Sequence, residues 1–265
     1  MANTSTFAHT AADPAHPAIR RIGIADLKDA LARGRDDFMA APTQLLFLGV
    51  IYPVIGLIAA RVFGGGGLLQ LLYPLVAGLS LMGPIAAIGI YELSRRREQG
   101  LEVSWSNAFD VLRSPSLFPI AVLGVVLLAI FVAWVFAAQA IYQATMGASA
   151  APDSVGAFLG LIFATAAGWR LIIFGNLVGL IFAILVLTLT VVSFPMLLDR
   201  RVGPVAAVST SIRAVLANPV TMAVWGLIVA FLLLLGSLPF FVGLAVVMPI
   251  LGHATWHLYR KVVVS

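Results

Sequence analysis

Apolar residues in this chain fall into long runs separated by short polar stretches, and the polar stretches recur in one form. Six runs approach or exceed the roughly 20 residues that a bilayer-crossing helix needs: about 44–63, 68–93, 117–142, 171–198, 220–236 and 238–259. Ahead of the first, Ile24, Leu27, Leu31 and Phe38 recur near helical spacing among Asp26, Lys28, Asp29, Arg33, Arg35, Asp36 and Asp37. That spacing predicts an amphipathic helix over Ile22–Ala40, lying on a membrane surface or packed under a bundle. Ser104–Arg113 and Val205–Ala217 are further amphipathic stretches, each standing just before an apolar run. Residues 143–170 form the longest connection, and its apolar, small-residue middle, Val155–Gly168, predicts an interfacial or re-entrant helix rather than a span. Gly64–Gly67 reads as a turn between the first two runs. Residues 1–19 are small, polar and proline-containing and predict a disordered cytoplasmic tail; residues 20–265 predict a single membrane domain.

The recurrence is specific enough to align. LARGRDDFMAAP ends at Pro42, WSNAFDVLRSP at Pro115 and STSIRAVLANP at Pro219, and each proline opens an apolar run. The runs that return also match: PIAAIGIYELSRR from Pro84 and PILGHATWHLYRK from Pro249 align without a gap, pairing Tyr91 with Trp256 and Glu92 with His257. The copy at Pro195 is shorter. The predicted fold class is therefore an all-α integral membrane protein, with six transmembrane helices arranged as three pseudo-repeated hairpins, each preceded by a cytoplasmic amphipathic helix.

Composition agrees with a lipid-solvated surface. The chain is 61% hydrophobic and 10% charged, with a mean hydropathy of +1.05, whereas a soluble domain carries about 25% charged residues. Residues 1–40 lack the apolar core of a signal peptide. The net charge of +5 does not point to nucleic acid, because of where the cations sit. Of the 16 Lys and Arg, all but Arg61 and Arg170 fall on the side of the predicted bundle that holds the termini. The positive-inside rule then places both termini of a multi-pass protein in the cytoplasm. The rim of Arg95, Arg96, Arg97, Arg200, Arg201, Arg260 and Lys261 is a candidate for contact with anionic lipid headgroups, beside its role in setting topology.

The run MGPIAAIGIYELSRRREQG (Met82–Gly100) and the closing MPILGHATWHLYR (Met248–Arg260) resemble a bacterial inner-membrane family of unknown function, over about residues 20–261. Some of its members are labelled as a cytochrome c oxidase subunit. The resemblance implies a six-span membrane protein and a possible place beside a respiratory complex.

Candidate chemistry is sparse. There is no cysteine, hence no disulfide and no thiolate site. Of the four histidines, His9 and His16 lie in the tail, while His253 and His257 share one face of the last run. Two histidines on one helix cannot ligate opposite faces of a haem, which excludes the catalytic subunit of an oxidase but not an accessory one. A metal at His253 and His257, with Glu92 at the equivalent depth, is the minor reading. The major one is a structural polar cluster of Tyr91, Glu92, His253, Trp256 and His257 near the interface. No carboxylate lies mid-span, which argues against an ion-coupled carrier. Asn176 is the polar residue of interest by depth, with interhelical hydrogen bonding its commoner use. No phosphate loop or nucleophile elbow is present, so the expectation is a non-enzymatic protein without cofactor. Its partners are the bilayer and, potentially, subunits of a membrane complex; a channel for a small solute and a metal-handling protein are the alternatives.

Overall fold

A computed structural model describes residues 17–41, 43, 47, 49–52, 54, 71–147, 154–239 and 241–264. The tail before Pro17, nearly all of the first apolar run and the Gly64–Gly67 turn lie outside these residues. Eleven α-helices and one 3₁₀ helix are named here among the described residues: α1 (Ile24–Ala40), α2 (Leu72–Leu81), α3 (Gly83–Ala86), α4 (Ile88–Glu98), the 3₁₀ helix (Trp105–Arg113), α5 (Leu117–Met146), α6 (Val155–Ala164), α7 (Ala166–Thr190), α8 (Ser193–Asp199), α9 (Pro204–Ala217), α10 (Pro219–Ser237) and α11 (Leu244–Val262). The only extended pairing among them is an antiparallel bridge between Ile19 and Val263.

Among the described residues three helical stretches are long and apolar enough to cross a membrane: α5, α7 running into α8 (Ala166–Asp199), and α10. They correspond to the third, fourth and fifth predicted runs. Their outer faces are bare apolar surface, with Phe118, Phe136, Ile181, Leu227 and Phe231 all exposed, as lipid-facing residues must be. The second run is not one helix. It breaks into α2, α3 and α4 at Met82 and Ala87, around Pro84, which has no N–H to continue the ladder. The sixth run also differs from expectation: residues 238–239 and 241–243 are turn, and α11 begins at Leu244 and continues through Pro249 to Val262. Val155–Ala164 is a separate helix, as its composition suggested, and Thr165 caps the next one by accepting from Gly168 N at 2.9 Å.

The amphipathic stretches become α1, the 3₁₀ helix and α9. α1 buries Leu27, Ala30, Gly34, Asp37 and Phe38 and lies along α11, the most extensive helix pair among the described residues. The two approach so closely at Gly34 that a Cβ there would stand 2.6 Å from Ala254 N and 2.8 Å from Ile250 O. The 3₁₀ helix packs on α4, where Ala108 O would lie 2.9 Å from a Cβ at Gly89. α9 packs on α7 and α8, and Ser211 Oγ donates to Thr188 O at 2.8 Å where that helix breaks. Gly100, at φ +71°, ends α4 with Leu101 N bonded to Arg96 O, a left-handed stop that favours glycine.

The core sits where α4, α8 and α11 converge. Phe194, Met196, Leu197, Tyr259 and Trp256 are essentially inaccessible there. The chain ends join beside it: Arg20 N donates to Val262 O and Val264 N to Ala18 O. Asn218, just before Pro219, ties the N-terminal segment down. Its Oδ1 accepts from Ile22 N at 2.8 Å, and its Nδ2 donates to Arg20 O at 3.1 Å.

Candidate functional site

Two histidines one turn apart on α11 face α1 and α4, and what they meet is Asp37. His257 Nε2 donates to Asp37 Oδ2 at 2.8 Å. Ser94 Oγ donates to the same oxygen at 2.7 Å and lies 2.7 Å from His253 Nδ1. With its only proton directed at the carboxylate, the serine accepts from His253 Nδ1–H. That tautomer leaves Nε2 of His253 a buried acceptor without a partner. Arg97 closes the far side, with Nε 3.4 Å from Asp37 Oδ1 and Nη1 donating to Asp36 O at 2.8 Å. Three elements thus meet on one carboxylate that is 7% exposed. Burial raises the Asp37 pKa, and the hydrogen bonds from His257 and Ser94 with the nearby imidazoles outweigh it, so the group lies below its ordinary value.

The structure places the members of the sequence-derived cluster in different surroundings. His253 and His257 do join a hydrogen-bonded cluster, but neither Glu92 nor Tyr91 is in it. Glu92, the residue expected to complete a metal site, faces Arg95 of its own helix, which donates to it twice at 2.8 Å. Tyr91 is buried and hydrogen-bonds with Thr255. Trp256 Nε1 donates to Glu98 Oε2 at 3.0 Å, as part of a second cluster. There Tyr259 OH donates to Asp199 Oδ2 at 2.6 Å, and Arg260 joins Glu98 at 3.0 Å and Asp199 at 3.2 Å.

The basic rim is largely engaged inside the protein. Besides Arg95, Arg97 and Arg260, Arg96 reaches Asp110 at 3.4 Å, Arg200 donates to Val264 O at 2.8 Å, and Lys261 pairs with Asp29 at 2.9 Å and Asp26 at 3.4 Å. Of the seven expected headgroup ligands, Arg201 alone has no such partner among the described residues. A cation held by a neighbouring carboxylate has less to offer a phosphate.

Two cavities flank Asp37 and share Arg97 as a wall. One of about 280 Å³ is lined by Asp37, Arg97 and His253 with Leu93, Leu101 and Val103 among its apolar residues. The other, about 440 Å³, is charged, with Arg33, Asp36, His257, Arg260 and Lys261 among its lining. Among the described residues no group of three His, Asp or Glu side chains is placed to hold a metal ion. Aspartate, histidine and serine are all present, but not in the order acyl transfer needs: the serine hydroxyl is aimed at the carboxylate, so no imidazole draws its proton. The arrangement is suited to locking three helices together and to relaying a proton along His257, Asp37, Ser94 and His253.

Asp37, Ser94, Glu98 and Asp199 were absent from the sequence-derived cluster. Asp37 did leave a signal, because it falls in helical register with Leu27, Ala30 and Gly34 on the buried face of α1. An acid on the apolar side of an amphipathic helix calls for a partner. At mid-depth, Asn176 accepts from Tyr73 OH at 3.1 Å, the interhelical use expected of it.

Residues 72–199 match the model of a family described as "Predicted integral membrane protein (DUF2189)". No curated protein and no solved structure matches the chain. The matched segment runs from α2 to the end of α8, so it includes the Met82–Gly100 run and two of the helices able to cross a bilayer; its description carries no oxidase designation. With that match and those helices, the chain is an integral membrane protein, similar over residues 72–199 to this family.

Proposed function

We propose that this chain is a six-span protein of a bacterial inner membrane with both termini in the cytoplasm. Its role is that of a non-catalytic accessory or structural component of a membrane complex. Three pseudo-repeated units account for the architecture. In each, an amphipathic element precedes an outgoing helix, and a returning helix follows: α2–α4, α7–α8 and α11. Support for the repeat comes from a cyclic packing rule. The 3₁₀ helix of the second unit rests on α4 of the first, α9 of the third on α7–α8 of the second, and α1 of the first on α11 of the third. The small residues at these contacts occupy related places: Gly34 and Ser211 each lie eight residues before their unit's proline, and Gly89 aligns with Ala254.

The observation that carries the functional reading is the dry junction of α4, α8 and α11. Phe194, Met196 and Leu197 have no accessible surface there, and the ion pairs of Glu92, Glu98 and Asp199 close its rim. A path for solute or ions along that axis would have to dismantle it. Two polar groups of the spans are occupied as well, Thr190 Oγ1 donating to Val186 O and Asn176 Nδ2 to Ile172 O, while the buried Gln139 Oε1 of α5 has no partner among the described residues. What remains for interaction is the broad apolar flank of α5, α7 and α10.

Two measurements test this. Solubilised gently and run on a native gel, the chain migrates in an assembly of defined composition, respiratory subunits being one such partner set; migration as a lone chain, with solute flux in proteoliposomes, overturns the accessory role in favour of a channel. The absence of cysteine allows topology to be mapped with single cysteines and an impermeant maleimide on intact cells. Cysteines replacing Gly66 and Ser237 label, and those replacing Gln99 and Gly203 do not; the opposite pattern overturns the orientation.

A further inference from the structure

The three amphipathic elements are not used alike. α1 hides its apolar face against α11, and α9 buries Ala207, Thr210, Ser211 and Ala214. The 3₁₀ helix has two apolar rows and can bury only one. With three residues per turn its side chains eclipse at every third position. The row of Trp105, Ala108 and Val111 buries its last two members, with Ala108 against Gly89 of α4. The row of Asn107, Asp110 and Arg113 is polar, with Asn107 Nδ2 donating to Asp110 Oδ2 at 2.9 Å. The third row holds Phe109 and Leu112, which are 48% and 63% exposed, beside Trp105 at 59%. The Trp105 and Phe109 rings meet edge to face at 6.4 Å between centroids, so they form one apolar ledge.

We propose that this ledge is a membrane-interface anchor, seated in the headgroup–acyl boundary of the phospholipid leaflet at the basic end of the protein. Three features select lipid as its occupant. The ledge is continuous with a lipid-facing span, since Leu117 and Phe118 in the first turn of α5 are exposed a few residues later. It presents a tryptophan, the side chain whose apolar ring and N–H suit the boundary between acyl chains and headgroups. Arg113 at its end is exposed and has no ion pair among the described residues, leaving it free for a phosphate, unlike most of the rim. Arg96 fastens the element to α4, donating to Glu102 O at 3.3 Å and to Asp110 at 3.4 Å. The anchor stands whatever assembly the protein serves.

Nitroxide labels on single cysteines replacing Trp105, Phe109 and Leu112 test it in vesicles of phosphatidylethanolamine and phosphatidylglycerol. Each label collides more often with oxygen than with a water-soluble nickel chelate, and a label replacing exposed Lys28 on α1 shows the reverse. Ledge labels that behave like the one at position 28 overturn the proposal. So do labels shielded from both reagents, because protein, whether the tail, a second copy or another chain, then covers the ledge. A Trp105→Phe variant provides a reading on the otherwise unaltered chain: it loses a share of the tryptophan quenching caused by lipids brominated near the headgroup end, and unchanged quenching counts against the anchor.

Discussion

Asp37 shows how one side chain can hold three helices in register. Its oxygens receive His257, Ser94 and Arg97, from α11 and α4, while its own backbone belongs to α1. Asp37→Asn keeps the shape but loses the charge, and its amide NH₂ faces groups that are themselves donors. A loss of about 2 kcal/mol follows from leaving such groups unmatched, read as a lower thermal midpoint in detergent. The acid side of the stability profile reports the same residue. Because the folded-state pKa lies below the ordinary 3.8, the contribution of Asp37 is full above that value and is lost as pH falls through the folded pKa. The Asp37→Asn variant has a flatter acid limb over that window. An unchanged limb would mean that other carboxylates govern acid unfolding; Asp26 and Asp29, both lowered as well, would then be next to test.

Helix contacts separate glycines that matter from those that do not, a distinction composition cannot draw. Gly124, Gly175, Gly179, Gly226 and Gly243 all lie within the apolar runs and look alike in sequence. A Cβ at Gly243 would stand 2.8 Å from the backbone of Gly236, one at Gly179 or Gly226 would approach only side chains, and one at Gly175 would meet nothing within 4 Å. Gly34 on α1 makes a close helix crossing against backbone atoms of α11. Gly34→Ala is therefore expected to force the helices apart at a cost of about 1–3 kcal/mol. Gly175→Ala is expected to be neutral or to stabilise by up to about 1 kcal/mol through helix propensity. Paired thermal melts check both, and equal behaviour of the two variants would contradict the crossing described.

At the scale of the molecule, the ends of the chain close the structure. Residues 18–20 pair with 262–264, and Asn218 stitches the N-terminal segment to the start of α10. Asn218→Ala leaves buried backbone groups of Arg20 and Ile22 without partners, a loss of about 1–3 kcal/mol. Hydrogen exchange locates it: protection falls first in α1 and the end of α11, which residues 18–20 and 262–264 join. Uniform loss across α5 and α7 would instead show that the helices unfold as one unit.

Membrane character, helix starts at Pro115 and Pro219, and the clustering of cations at one end are legible from residues alone. They depend on local properties: run length against bilayer thickness, the missing N–H of proline, and which loops carry charge. The companion of the histidines was not legible in the same way. Glu92 is the nearer choice by repeat symmetry, yet Arg95 three residues along the same helix takes it. The carboxylate that meets His257 lies 220 residues away in sequence. Its register on the buried face of α1 marked it as needing a partner, but only the packing of α1 along α11 determined which one, because a buried charge is satisfied by whatever donor the tertiary fold brings within hydrogen-bond reach.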